Sequence, residues 1–539
     1  MIEVVFHHAG QETSARVNVG DDLLTAARQG GVILESPCNG NGTCGKCKVK
    51  ILSSLAEEEI VLACHTKVDH DVVVEIIERH DSGNLQIKQD GLVNSGEIDS
   101  IITKKYISPS NVTHVYRKKE LISTEQGNTE EEIYGLAIDI GTTTLVVSLV
   151  NLLTGEELAG AGALNPQSRL GQDVLSRIRY ASKEQGLVEM NQLIIEELNR
   201  MILQVTADAA IVAHHVYELV LSGNTCMLHL AVKANPGPLG KYPYTPVIRG
   251  GNSIAANDLG LYAVPNAEAY LSPIISAYVG GDITSGILVS RLAEREDTNL
   301  FIDIGTNGEI VLATGGRLVA TSTAAGPAFE GMNISCGMRA APGAIEGFSL
   351  TTDGERTLKN IGDQAAVGIC GSGLLDIVAA LVQNGVIEGN GKFSKTMNEN
   401  LSALLTQVNG KVVFSVAEGV YLSQPDIRQV QLAKGAIRAG IEALLEYQNI
   451  TVADVDRVLI AGSFGYHLNP DSLIGIGLLP EAFRDKIEFL GNTSKTGGQE
   501  FLLNQGSRLA IDQTIAEIAV LELATVDKFD RLFVKCLEF

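Results

Sequence analysis

Residues 135–150, Gly-Leu-Ala-Ile-Asp-Ile-Gly-Thr-Thr-Thr-Leu-Val-Val-Ser-Leu-Val, read as a strand, a Gly-Thr turn and a second strand. The pentapeptide Ile-Asp-Ile-Gly-Thr at 138–142 returns at 302–306, inside Leu-Phe-Ile-Asp-Ile-Gly-Thr-Asn-Gly-Glu-Ile-Val-Leu-Ala-Thr (300–314). A carboxylate at a strand end, followed by glycine and hydroxyl residues, suits a nucleotide phosphate and its metal. Asp139 and Asp303 are therefore the candidate catalytic pair, able to hold a hydrated Mg²⁺, which takes only one or two carboxylates. Gly141 and Gly305 keep side chains out of the way of a phosphate. The backbone N–H groups of Thr142, Thr143 and Thr144, and of Thr306 and Asn307, are placed to donate to its oxygens.

The repeat extends beyond the pentapeptide. The helix-patterned VEMNQLIIEELNRMILQV (188–205) precedes ELVLSGNT (218–225), and DIRQVQLAKGAIRAGIEALLEY (426–447) precedes RVLIAGSFG (457–465). Each half thus runs strand, Asp-x-Gly-Thr turn, strand, helix, and a strand ending in a Gly/Ser turn. The expectation is a large α/β domain over 135–539, duplicated into lobes of approximately 135–298 and 299–539 with a cleft between them. Gly371-Ser372-Gly373, opening a helix, reads equally as an anion site or as tight helix packing. Lys434 and Arg438 share one helix face, turned either to the nucleotide or, more simply, to solvent.

The other end of the chain carries different chemistry. Four of the eight cysteines, Cys38, Cys44, Cys47 and Cys64, fall near the N-terminus. The lone Cys226, Cys336, Cys370 and Cys536 read as small buried hydrophobes. The spacing C-x5-C-x2-C, with Cys64 further on, contains three glycines that let the chain wrap a bulky anionic group. Thiolates select zinc or iron–sulfur clusters. Structural zinc usually takes two C-x2-C knuckles, and only one is present. Around this loop, IEVVF, ARVNV, a helix capped by Asp21 or Asp22, CKVKIL and DVVVEI give the order of an α+β β-grasp domain over 1–80. Residues 81–134, polar and weakly periodic, read as a linker or a small bridging domain.

Net charge is −23, from 41 basic and 64 acidic residues. That argues against nucleic acid and anionic membrane as partners. No apolar run reaches the ~18 residues of a spanning helix, and MIEVVFHHAG is no signal peptide. A cytoplasmic address is expected.

The cysteine loop resembles [2Fe–2S] ferredoxin loops, whose plant-type form is C-x4-C-x2-C…C. By that resemblance Cys38 and Cys44 would hold one iron, and Cys47 and Cys64 the other. The paired turns resemble those of the acetate and sugar kinase, heat-shock chaperone and actin superfamily, an RNase H-like, actin-like ATPase fold. VLIAGSFG (458–465) is similar to its adenosine motif, which brings Gly462 and Ser463 to the base and ribose. SAYVGGDITSGI (276–287) is similar to its interlobe helix, where Asp282 would orient the attacking water or simply cap the helix.

As a whole the chain resembles the reductive activators of corrinoid proteins, ferredoxin-fused ATPases. The resemblance rests on the cysteine loop, GLAIDIGTTT, STAAGPAFEG, CGMRAAPGAI, DIRQVQLAKGAI and AGSFG. It implies a [2Fe–2S] cluster, ATP and Mg²⁺ as cofactors, and a corrinoid protein and a cellular electron donor of unknown identity as partners. The activity implied is ATP-dependent electron transfer to Co(II), giving Co(I). Some members carry a dimerising middle domain. The short span before GLAIDIGTTT reads as lacking it, which leaves a homodimer open. The competing readings are activation of another low-potential enzyme and a redox-regulated small-molecule kinase.

Overall fold

The computed structural model describes residues 1–8, 11–32, 34, 36, 40, 42, 46–52, 59–77, 98–462 and 468–539. Cys38, Cys44 and Ser463 therefore lie outside the described residues.

The N-terminal unit is a five-stranded sheet in the order Gln11–Val17, Ile2–His8, Val72–Ile76, Lys48–Leu52, Glu59–Leu62. Its first two strands form an antiparallel hairpin, and Ile2–His8 then runs parallel to Val72–Ile76. Alternation in the first strand buries Ile2, Val4 and Phe6 on one face. The helix Leu23–Gln29 packs there through Leu23, Leu24, Ala26 and Ala27. Asp22 caps that helix, accepting from the Thr25 N–H at 2.8 Å, and Gly30 ends it. Cys47 and Cys64 belong to the same core.

Residues 102–126 form a three-stranded antiparallel sheet, Ile102–Ile107, Val112–Arg117 and Glu120–Gln126. Polar contacts tie it to the large α/β domain. Arg117 donates to Glu268 Oε1 and to the Tyr217 carbonyl, both at 2.9 Å. Within the small sheet, buried Lys104 is paired with Glu125 at 2.7 Å.

Two six-stranded sheets form the centre of the large domain, beside two three-stranded ones, and the cores of the two large sheets repeat one plan. In the first, Tyr134–Ile140 pairs antiparallel with Thr144–Asn151 and parallel with Val216–Gly223. In the second, Asn299–Ile304 pairs antiparallel with Gly308–Thr314 and parallel with Arg457–Ala461. A third antiparallel strand, Glu157–Leu164 or Arg317–Thr323, completes each hairpin. Strands flanked on both sides are buried on both faces, so they read as nearly unbroken apolar runs. One long helix covers each sheet, Glu184–Asp208 on the first and Gln424–Tyr447 on the second. The duplicated α/β plan expected from the repeat is the one observed.

The lobes meet through two helices. Gly281–Val289 crosses Thr493–Leu503, and the second of these also packs on the first sheet. Glycine makes the crossing close: a Cβ on Gly497 would stand 2.4 Å from the Ser285 carbonyl oxygen. Among the described residues no helix is long and apolar enough to cross a membrane.

Candidate functional site

Because the two halves share one plan, their Asp-x-Gly-Thr turns face each other across the cleft. A cavity of about 210 Å³ opens there, lined by Asp139, Gly141, Thr142, Thr143 and Thr144 from one lobe and by Asp303, Gly305, Thr306 and Asn307 from the other. Asp282 and Gly462 line it too. The described residues of both Asp-x-Gly-Thr turns, with Asp282 and Gly462, are thus brought to one place.

The two glycines act differently. A Cβ on Gly141 would lie 2.6 Å from the Thr144 carbonyl, so this turn closes on itself and excludes any side chain. On Gly305 the nearest atom would be 3.6 Å away, so its missing side chain leaves open space above Asp303. The first turn is held from behind by its own lobe. Arg177, fully buried, donates to the Thr142 carbonyl at 2.6 Å and to the Gly171 carbonyl at 2.8 Å. Asn165 donates to the Gly141 carbonyl, and Asn224 to the Thr142 hydroxyl. Burial lowers the Arg177 pKa to about 10, which leaves it charged at neutral pH.

The cleft is acidic. Among its described lining residues are six carboxylates (Asp139, Asp282, Asp303, Glu309, Glu330 and Glu346) and a single cation, Arg339. Burial, reinforced by the neighbouring Asp303 and Asp139 charges, pushes Asp282 up to about 8. Burial and Asp139 push Asp303 up to about 7. Glu309 is raised well above the carboxylate range by burial and by Asp282 and Asp303. Burial also raises Asp139, opposed by hydrogen bonds from Ser494 Oγ at 2.8 Å and Asn492 Nδ2 at 3.0 Å. So much repelling charge in a low-dielectric cleft calls for a cation. Among the described residues, no three His, Cys, Asp or Glu side chains are grouped so as to hold a metal alone. This donor set fits an ion that keeps waters and shares its coordination with phosphate, as Mg²⁺ does.

Several sequence expectations change here. Asp282 does not cap its helix: Gly280 is the cap, and Asp282 lies in the first turn with Oδ1 accepting from the Ile283 N–H. Lys434 faces neither nucleotide nor solvent. It is 1% exposed, bonds the Glu538 carbonyl and stands 5.3 Å from the Phe539 ring centre. Arg438 is partly buried and pairs with Glu442. Gly371 and Ser372 line the cavity, and the helix they open is also tightly packed: a Cβ on Gly371 would lie 1.8 Å from the Phe329 carbonyl. Of the lone cysteines, Cys226 and Cys370 are buried, whereas Cys336 and Cys536 are partly exposed.

Sequence reading missed Asn224, Glu309, Glu330, Arg339, Asn492 and Ser494. Asn492 and Ser494 sit in GNTSKTGGQ (491–499), a looser match to the last Gly-rich segment of the activators that the chain resembles. Asn224, Glu309, Glu330 and Arg339 lie within ELVLSGNT, LFIDIGTNGEIVLAT, STAAGPAFEG and CGMRAAPGAI, whose patterns mark the stretches but not these side chains.

At the N-terminal unit, the Cys47 and Cys64 sulfurs approach to 3.3 Å with both residues buried. Two thiols turned toward one point, in a loop with Gly40 and Gly42 at positive φ, fit a thiolate-held cluster. Lys46, next to Cys47, reaches across to the Gly337 carbonyl of the second lobe at 2.5 Å.

Three family models match the chain. A 2Fe-2S iron-sulfur cluster binding domain matches residues 6–69, a RACo middle region 134–295, and the C-terminal ASKHA domain of RACo 297–539. The middle-region match coincides with the first lobe of the large domain, beginning at Tyr134, one residue before GLAIDIGTTT. The corrinoid activation enzyme RamQ of Eubacterium limosum is 31% identical over 93% of both chains. A [Co(II) methylated amine-specific corrinoid protein] reductase of Methanosarcina barkeri is 27% identical over 74% of this chain and 76% of its own. A solved reductive activator for corrinoid, iron-sulfur protein superposes with a TM-score of 0.76 at 29% identity, covering 100% of this chain and 98% of that one. With its 2Fe-2S domain and its paired ATPase-type lobes, the chain belongs to the family of reductive activators of corrinoid proteins.

Proposed function

We propose that the protein is a cytoplasmic activase that uses ATP to drive one electron onto a Co(II) corrinoid protein, giving Co(I). The observation that carries this reading is the direct contact between the thiol loop and the segment 331–338, whose flanking residues Glu330 and Arg339 line the nucleotide cleft, Lys46 Nζ to Gly337 O. When bound at Cys38, Cys44, Cys47 and Cys64, a [2Fe–2S] cluster supplies single-electron transfer near roughly −400 mV. An acceptor of lower potential costs about tenfold in equilibrium for each ~59 mV, so an energy input is needed.

The residues divide the work. Asp139 and Asp303 would hold Mg²⁺, which shares its coordination with phosphate. The backbone N–H groups of Thr142–Thr144 and of Thr306–Asn307 bind the phosphate oxygens. Gly462, whose Cβ would stand 3.2 Å from Asp303 Oδ1, lets the nucleotide pass close to the second turn. By the resemblance, Ser463 would meet the ribose. Asp282 orients the attacking water from the hinge helix. Turnover there shifts the lobes on the crossing of Gly281–Val289 with Thr493–Leu503. Docking of the corrinoid partner distorts the cobalt coordination, because axial ligation sets metal potentials.

The test is ATP hydrolysis by the reduced, cluster-loaded protein, with and without a Co(II) corrinoid protein, while cobalt absorbance is followed. ATP-dependent appearance of Co(I), lost in Asp303→Ala and in Cys44→Ala, is the expected result. ATP turnover with no cobalt change in any complex would overturn the reading.

A further inference from the structure

Glu330 has no role in the proposed reaction, yet it lines the cleft and bonds to both lobes. It ends the 3₁₀ turn Pro327–Glu330 and lines the cavity. Its Oε2 accepts from the Thr143 hydroxyl at 2.5 Å, and its Oε1 accepts from the Thr306 hydroxyl. Those two threonines belong to the two phosphate turns, one on each lobe. A single carboxylate therefore ties together the two surfaces between which a polyphosphate would lie. Each hydroxyl has one proton to give. Thr143 and Thr306 cannot serve Glu330 and a phosphate oxygen at the same time, and a carboxylate beside a phosphate is repelled.

We propose that Glu330 is an internal anion that clasps the two phosphate turns in the nucleotide-free protein and is expelled by the nucleotide. The proposal rests on reading this cleft as a nucleotide site. Its consequence reaches the N-terminal unit through a stiff segment. Gly331, directly after Glu330, has φ +74°, and a Cβ there would stand 2.4 Å from the Met338 carbonyl. On Gly337 a Cβ would stand 2.1 Å from the Gly331 carbonyl. The two ends of 331–338 are thus in backbone contact, and Gly337 O is the acceptor for Lys46 beside Cys47. Moving Glu330 moves the platform on which the thiol loop rests. By linkage, whatever frees that loop also favours the nucleotide.

The experiment is calorimetric binding of Mg·ATP and, separately, of adenosine to the full-length protein and to Glu330→Gln and Glu330→Asp. Removing the competing charge is expected to tighten Mg·ATP at least about tenfold in Glu330→Gln. Glu330→Asp, which keeps the charge and is too short to reach both hydroxyls, is expected to show a smaller gain. It also stands in if the first variant does not fold. Adenosine, which has no phosphate, should bind all three alike. In the wild-type protein, Mg·ATP should also speed amide exchange over 331–338. Equal Mg·ATP affinity in wild type and variants, with or without a fall in turnover, overturns the clasp. Failure of the wild type to bind either compound overturns the nucleotide reading itself, so the two failures are distinguishable.

Discussion

Gly497 and Gly498 are neighbours on one helix with very different surroundings, and the hinge crossing predicts different fates for their alanine variants. A Cβ on Gly497 would stand 2.4 Å from the Ser285 carbonyl oxygen and 2.6 Å from its Cβ, whereas ordinary contact begins at 3.4 Å. Relief requires the helices Gly281–Val289 and Thr493–Leu503 to part by about 1 Å. On Gly498 the nearest atom would be Ala137 Cβ at 3.3 Å, which needs only a small adjustment. Overpacking costs about 1–3 kcal/mol, and alanine returns up to ~1 kcal/mol of helix propensity at either site. Gly497→Ala should therefore lose about 1–2 kcal/mol, while Gly498→Ala should be close to neutral. The functional effect should be larger than the stability effect. Asn492 and Ser494, which hold Asp139 at 3.0 and 2.8 Å, ride on the same helix, and a shift of about 1 Å takes both beyond hydrogen-bonding range. Urea titration together with Mg·ATP binding reads both quantities. Equal stability and equal affinity in the two variants would refute the reasoning, as would damage confined to Gly498→Ala.

Single contacts yield the other predictions. Buried His229 accepts the Val247 N–H on Nε2 at 2.9 Å and faces the Thr225 carbonyl through Nδ1, so the folded protein holds it neutral, with a pKa below the ordinary 6.5. The unfolded chain then binds the extra proton first, and stability is lost as pH falls below about 6.5, at up to ~1.4 kcal/mol per unit. The urea midpoint of wild type relative to His229→Asn should shrink between about pH 7.5 and 5.5, and a constant gap would count against this. Glu218, 1% exposed, sits 2.8 Å from Arg508 and 4.0 Å from Arg117. Glu218→Ala takes the carboxylate from Arg508, while Arg117 keeps Glu268, and should cost about 3–5 kcal/mol by denaturant titration, with Glu218→Gln costing less. Cys47→Ser replaces a soft ligand by a hard one. It should remove the visible absorbance of the iron-loaded protein while Mg·ATP still binds, and loss of both would mean that the substitution unfolds the chain.

Much of this protein is written in local pattern. The repeated Ile-Asp-Ile-Gly-Thr, each with an apolar strand on either side, a later helix and a Gly-ended strand, determined the duplicated α/β plan, because strand period and turn chemistry are set by residues close in sequence. The same holds for Asp139, Asp303 and the thiol loop, whose chemistry needs particular residue types at short spacing. Other features were settled only by folding. Lys434 sits on a helix face that reads as solvated until the C-terminal residues Glu538 and Phe539 close over it. Asn492 and Ser494 reach Asp139 across more than half the chain, and Glu330 joins Thr143 to Thr306 from STAAGPAFEG, a stretch whose pattern does not say which side chains it will meet. The tie from Lys46 to Gly337 links two units that the sequence could only place in order. Hydrogen bonds and buried charge depend on distance in space, and between distant segments that distance is set by how the sheets pack and not by any spacing along the chain.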